Sequence, residues 1–109
     1  MRAEHDAMML VRADLCERLE RLQSLSRPAS SRDFAQSVGT IRILAAAYGL
    51  TPVVRLAEAL ERALAEPERA GGCPRSLYLD RLRDAIGCER IDDKAAEALL
   101  ASVSIQLRA

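Results

Sequence analysis

Aromatic residues are scarce in this sequence, and tryptophan is absent. Only 3% of the residues are aromatic, whereas 50% are hydrophobic. A hydrophobic core must therefore be filled mainly by Leu, Ile, Val and Ala side chains. Apolar and polar residues also alternate nowhere with a period of two beside a turn dipeptide, so no β-strand is predicted. Together, these absences favour an all-α fold.

Neither sign of charge is in excess. Lys and Arg total 16, as do Asp and Glu, which gives a formal net charge of zero. Because domains that bind nucleic acid usually carry a basic excess, we predict no nucleic-acid partner. Residues 44–50 suggest the turn of a helix-turn-helix, but Arg55 and Glu58 stand where that motif buries apolar residues. DNA binding is therefore a weaker alternative.

Residues that support catalysis or metal binding are few. Cys16, Cys73 and Cys88 are an odd set without CxxC spacing, which is typical of reduced thiols rather than of disulfides or a zinc site. His5 is the only histidine, and we interpret it as an ordinary exposed residue near the terminus. The sequence therefore predicts no metal site, no cofactor and no enzymatic activity.

Long apolar runs are also absent. No run approaches the roughly 20 residues that a membrane-spanning helix needs. The segment from Met1 to Leu10 carries Glu4 and Asp6, where a signal peptide would be basic and then apolar. We therefore expect a cytoplasmic protein with no membrane contact.

Five segments instead show the three- and four-residue apolar spacing of amphipathic helices. The first runs from about Glu4 to Leu25, and the others follow after short polar interruptions. The residues predicted to face inward are Met8, Val11, Leu15, Leu19 and Leu22 in the first, Phe34, Val38, Ile41, Ala45 and Tyr48 in the second, Val53, Leu56, Ala57, Leu60 and Leu64 in the third, Tyr78, Leu79, Leu82 and Ile86 in the fourth, and Ala96, Leu99, Leu100, Val103 and Leu107 in the fifth.

Capping and turn residues mark the ends of these segments. Serine, threonine and aspartate favour helix starts, whereas glycine and proline favour helix ends. The predicted starts are Ser30-Ser31, Thr51-Pro52, Ser76 and Asp92, and the predicted ends are Ser26 to Ser30, Gly49, Pro67 to Pro74 and Gly87. Helices with one apolar face and short connections bury those faces against each other, so we expect one antiparallel bundle domain spanning residues 1–109.

The segment from Gly39 to Leu50, followed by Leu56 and the Leu60-Glu61 pair, resembles the signature of histidine-phosphotransfer domains. In that signature, a phosphorylatable histidine precedes a hydroxyl residue, a leucine, a lysine, small residues and an apolar-glycine pair. The matching positions here are Thr40 for the hydroxyl residue, Ile41 for the leucine, Arg42 for the lysine, Ala45 and Ala46 for the small residues, and Tyr48-Gly49 for the apolar-glycine pair. The resemblance spans roughly residues 8–64 and implies a four-helix bundle.

The chain departs from this signature at its most important position. Gly39 stands where the family has its histidine, and Ile43 stands where it has a glycine. A register three residues earlier would place Gln36 at the histidine position, but Gly49 and Leu60-Glu61 would then lose their matches. In either register the imidazole that accepts a phosphoryl group is missing.

The resemblance also implies a docking surface, because receiver domains and histidine kinases recognise the helix face around the family's histidine. Here that face lies opposite the second helix's buried stripe. The predicted partner-binding residues are Ala35, Gln36, Gly39, Arg42, Ile43 and Ala46. Glycine at position 39 leaves a notch, Arg42 could face the acidic phosphorylation pocket of a receiver domain, and Ile43 offers an apolar contact. The face is lost if the segments after Pro67 fold over it.

The sequence therefore predicts a non-catalytic binding module in two-component signalling, acting as a decoy, inhibitor or scaffold. Two alternatives stay open beside it. One is a structural or self-associating helical bundle, including a homodimer that buries the face around Arg42. The other is an active phosphotransferase with an unforeseen acceptor. The partner, the pathway and the sign of regulation do not follow from the sequence.

Overall fold

Five α-helices form the structure, which is a computed structural model that describes residues 2–24, 31–65, 75–88 and 91–108, without the side chains of residues 2–5, 31 and 106–108. The helices are α1 (Arg2–Ser24), α2 (Ser31–Ala47), α3 (Thr51–Ala65), α4 (Arg75–Gly87) and α5 (Asp93–Arg108). The described residues contain no strand, so the predicted all-α fold class is confirmed. None of the described helices is both long enough and apolar enough to cross a membrane.

A single cluster of buried, mostly aliphatic side chains joins all five helices, with Phe34 and Tyr78 as its aromatic members. Most of the residues predicted to face inward belong to it, and Leu15, Leu19, Leu56, Leu60 and Leu82 have no exposed surface at all. Fully burying a side chain of this size contributes about 1.5–3 kcal/mol. No described polar or charged side chain is buried with them. Burial of Leu, Ile and Val is therefore the main source of stability in this fold.

The helices that touch each other form a closed ring. Contacts join α1 to α2, α2 to α3, α3 to α4, and α4 back to α1, while α5 packs outside the ring against α3 and α4. At the start of α4, the guanidinium of Arg75 lies 4.4 Å from the centre of the Phe34 ring of α2, on the buried side of that helix. The outer side of α2, with Gln36, Ile43 and Ala46, is exposed.

The seam between α1 and α4 is held by polar side chains as well as by the core. Arg12, in the first half of α1, donates from Nη2 to the carbonyl oxygen of Cys88, just after α4, at 3.1 Å. Gln23, near the end of α1, contacts both Asp80 and Arg83 in the middle of α4. The earlier residue of α1 contacts the end of α4 and the later one contacts its middle, so the two helices run in opposite directions.

The turn between α2 and α3 follows the predicted stop at Gly49. This glycine has a φ of 71°, in the left-handed region that favours glycine. The Leu50 amide donates to the Ala45 carbonyl at 3.0 Å, and the Gly49 amide donates to the Ala46 carbonyl at 3.2 Å. This pair of hydrogen bonds is a Schellman motif, which satisfies the last carbonyls of α2.

Tyr48 was predicted to belong to the buried stripe of α2, and this is wrong. The helix ends at Ala47, and Tyr48 lies in the turn with 43% of its surface exposed. Leu50 takes the buried position instead and has no exposed surface. The reason is the Schellman motif, because it folds the residue after the glycine back toward the last turn of the helix.

The predicted helix starts agree with the structure to different degrees. Asp92 caps α5 as predicted, since its Oδ1 accepts a hydrogen bond from the Ala95 amide at 2.9 Å. α4 begins at Arg75, so Ser76 lies inside the helix rather than capping it. The first helical hydrogen bond of α3 runs from the Val54 amide to the Leu50 carbonyl, one residue before the predicted start at Thr51. Ser30 and the loop from Pro67 to Pro74 lie outside the described residues.

Substitution of Gly49 by alanine tests the role of the turn. We expect Gly49→Ala to lower the free energy of unfolding by about 1–2 kcal/mol, because a left-handed backbone costs an L-residue that much. Urea denaturation monitored by circular dichroism measures the change. Gly87→Ala is the matched control, because its φ is not positive and, outside the local helix backbone, no atom of a described residue lies within 4 Å of the added Cβ. An equal loss in both variants would contradict the assignment of the turn.

Candidate functional site

The six residues predicted to bind a partner lie along one side of α2, and we call them the Gly39 face. Its members are Ala35, Gln36, Gly39, Arg42, Ile43 and Ala46. Gln36, Ile43 and Ala46 are exposed, whereas Ala35, Gly39 and Arg42 are half-buried. The sequence predicts that this face lies opposite the buried stripe, but in the structure only part of it does. It extends from the outer surface of α2 to the boundary with α3.

An ion pair across this boundary accounts for the partial burial of Arg42. Its Nε donates to Oε1 of Glu61, on α3, at 2.6 Å. The two side chains are 35% and 31% exposed. In the part of the chain that the structure describes, each is the other's only polar partner. The sequence predicts that Arg42 faces the acidic pocket of a receiver domain, and in the structure its charge is offset by a carboxylate of the same chain.

Gly39 lies next to the same carboxylate. A Cβ added at this position would be 3.8 Å from Oε2 of Glu61, which is an ordinary van der Waals contact, and no other atom would lie closer. The notch expected at Gly39 is thus bordered by the Glu61 side chain. Packing within the described chain would still tolerate a larger residue here.

The role of Glu61 was not recognised from the sequence, where it appeared only as part of the Leu60-Glu61 pair. A signal for it existed. Glu61 directly follows the fully buried Leu60, so it lies at the edge of the buried face of α3, where a charged side chain can reach the neighbouring helix. Arg42 lies next to the fully buried Ile41 in the same way. Opposite charges at the edges of two consecutive helices favour an ion pair between them.

The remaining side chains of the Gly39 face give it mixed polarity. Ile43 is 62% exposed and is the largest apolar side chain on the face. Thr40, beside it on α2, donates its hydroxyl to the Gln36 carbonyl at 3.1 Å, so this hydroxyl is engaged within the helix. Other large apolar side chains are exposed singly elsewhere, including Met9, Leu10 and Ile105. Exposure of one isoleucine is therefore not in itself evidence of an interface.

Residues that could bind a metal or act as nucleophiles do not converge within the described residues. They contain no group of three or more His, Cys, Asp or Glu side chains arranged to hold a metal ion. Cys16 and Cys88 are half-buried free thiols. Cys73 and the side chain of His5 lie outside the described part. The Gly39 face itself offers charge pairing at Arg42 and apolar contact at Ile43.

Comparison of the chain with protein-family models, with curated proteins and with solved structures finds no match in any of the three. The resemblance to phosphotransfer domains therefore rests on the sequence alone.

Gly39→Ala tests whether packing requires the glycine. We expect the free energy of unfolding to rise by about 0.5–1 kcal/mol, because alanine is the better helix former and the added Cβ meets no close contact. The same urea titration measures it, with Gly49→Ala as the glycine variant that should change stability in the opposite direction. A clear destabilisation by Gly39→Ala would show that the α2–α3 boundary is tighter than the structure indicates.

Proposed function

We propose that the chain is a non-catalytic, phosphotransfer-like binding module that docks a receiver domain or a histidine kinase through the Gly39 face. The main supporting observation is that Gln36, Ile43 and Ala46 of this face are exposed rather than covered by the described parts of α4 and α5. If the C-terminal helices packed over the Gly39 face, it would not be accessible to a partner. Instead the outer side of α2 stays accessible over several turns, because Arg75 of α4 meets α2 at Phe34, on its buried side.

The proposed architecture is an antiparallel four-helix bundle of the phosphotransfer type, to which α5 is added. Its support is the closed ring of contacts from α1 to α4, together with opposite directions at two of its seams. Residues 48–50 reverse the chain between α2 and α3, and the contacts of Arg12 and Gln23 pair α1 with α4 in reverse order. Up-and-down connectivity of this kind is the common solution for four helices joined by short loops.

The proposed mode of action is occupancy rather than transfer. With glycine at position 39, the face carries no imidazole to accept a phosphoryl group, so docking would not be followed by chemistry there. A bound receiver or kinase would be withheld from its productive partner. The chain then acts as a decoy, an inhibitor or a scaffold, depending on which partner it holds.

Binding to purified receiver domains and kinase dimerisation domains of the same cell tests this proposal. By isothermal titration calorimetry we expect micromolar affinity for at least one of them, weakened about tenfold or more by Arg42→Glu, since reversed charge opposes an acidic partner. Arg55→Glu is the matched control. Arg55 is also an arginine paired across helices, to Asp93 of α5, but it lies on the other side of α3.

Two outcomes would contradict the proposal. One is the absence of binding by every receiver and kinase domain. The other is equal loss of affinity in the Arg42 and Arg55 variants. Sedimentation of the free chain completes the experiment, because a tight dimer that dissociates on Ile43→Glu would favour the self-associating bundle instead.

Restoring a histidine tests the register of the resemblance. After incubation with a phosphorylated receiver domain, we expect Gly39→His to gain one phosphoryl group by intact mass, because the new imidazole would lie at the centre of the docking face. The unmodified chain should gain none. Gln36→His is the matched control, since it places a histidine one turn earlier on the same face. Phosphorylation of the Gln36 variant alone would support the earlier register, and phosphorylation of neither would count against a phosphotransfer-like docking mode.

A further inference from the structure

Arg42 is the cation with which the Gly39 face would meet an acidic partner, and it already has a carboxylate partner in the free chain. The distance from its Nε to Glu61 Oε1 is 2.6 Å. We infer that Glu61 competes with the partner's carboxylates for Arg42, so that Glu61 weakens docking. This inference rests on the proposed function, and it selects the receiver domain, with its acidic phosphorylation pocket, as the partner.

The hydrogen-bonding capacity of Arg42 supports this competition. A guanidinium carries five N–H donors, and the ion pair with Glu61 is made through Nε. The two Nη groups donate to no described residue. They can still take a second carboxylate, which either displaces Glu61 from Nε or stands beside it. Displacement breaks an existing pair and coexistence brings two negative charges together, so both weaken the docking contact.

The exposure of the pair sets the size of the effect. Because the side chains of Arg42 and Glu61 are both about a third exposed, solvent screens their attraction. Exposed ion pairs are worth up to about a fivefold change in an equilibrium constant. A partner can therefore open the Arg42–Glu61 pair, and Glu61 reduces affinity without abolishing binding.

Gly39 leaves the carboxylate of Glu61 free to make this exchange. The nearest heavy atom to a Cβ at position 39 would be Oε2 of Glu61, and the glycine puts nothing in that space. The carboxylate can move over the α2 backbone when Arg42 turns toward a partner. Glu61 is thus an affinity-determining residue that acts through Arg42.

Glu61→Gln tests the inference, because it removes the charge and keeps the shape of the side chain. Against a receiver domain that binds the unmodified chain, we expect affinity to rise about two- to fivefold. The salt dependence of the dissociation constant should also become steeper. When the unmodified chain binds, Arg42 exchanges the carboxylate of Glu61 for one of the partner, so the number of ion pairs stays the same. When the variant binds, Arg42 forms an additional ion pair, which salt screens.

Glu58→Gln is the matched control. Glu58 is an exposed glutamate one turn earlier on α3. Its substitution removes the same charge and leaves the Arg42–Glu61 ion pair in place. We expect its affinity to change by less than about twofold. In an Arg42→Met background, Glu61→Gln should have no effect on affinity. Urea unfolding of each variant verifies that the fold is intact.

The results separate failure of this inference from failure of the proposed function. If neither the unmodified chain nor Glu61→Gln binds any receiver domain or kinase domain, the proposed function itself is wrong; binding to a kinase domain alone overturns only the choice of a receiver as the partner. If the unmodified chain binds and Glu61→Gln binds equally or more weakly, the competition is wrong while docking stands. Equal gains in the Glu58 and Glu61 variants would mean that net charge alone sets affinity, which also overturns the inference.

Discussion

The reversal of the chain at Gly49 is the constraint on which the rest of this structure depends. A positive φ at one residue ends α2, turns the chain and buries Leu50 beneath the last turn of the helix. It also decides which sides of α2 and α3 face each other. Because these sides meet, Arg42 and Glu61 come together at the edge of the helix pair, and the remaining outer side of α2 carries the Gly39 face.

Within this framework, apolar burial and charge pairing have separate tasks. The buried leucines, isoleucines and valines each contribute about 1.5–3 kcal/mol, whereas exposed ion pairs contribute about 0–1 kcal/mol. The ion pairs Arg18–Asp14, Arg21–Glu17 and Arg42–Glu61 therefore do little to determine whether the chain folds. Their positions matter for what the surface can recognise. Arg42–Glu61 is set apart among these because it joins two helices at a face that α4 and α5 leave uncovered.

The helices and most of the core could be predicted from the sequence, because the spacing of leucines and the glycine stop are local signals. The wrong prediction, the burial of Tyr48, depends on how the chain turns after α2 and not on the local spacing. Tyr48 continues the apolar spacing of α2, but the Schellman turn exposes it and buries Leu50. The apolar spacing includes Tyr48, one residue beyond the end of α2, because periodicity does not show where a helix ends.

The candidate site was predictable only in outline, for a related reason. Helical periodicity placed Arg42 and Ile43 outside the buried stripe, and Ile43 is exposed. The partner of Arg42 lies 19 positions away in sequence, on another helix. A helical wheel of α2 alone contains no information about α3, so the arginine appeared to be free. Whether that charge is available to a partner depends on the packing of two helices.

The glycine at position 39 is the feature that packing leaves unexplained. A side chain there would lie 3.8 Å from Glu61 Oε2, so the fold does not require its absence. Glycine within a helix costs about 0.5–1 kcal/mol relative to alanine, which a core of this size tolerates. The chain thus carries a small loss of stability from which none of its described contacts benefits. The described contacts give no internal reason for the glycine, whereas the proposed docking of a partner against the backbone of α2 would give one, because a residue without a side chain permits close approach.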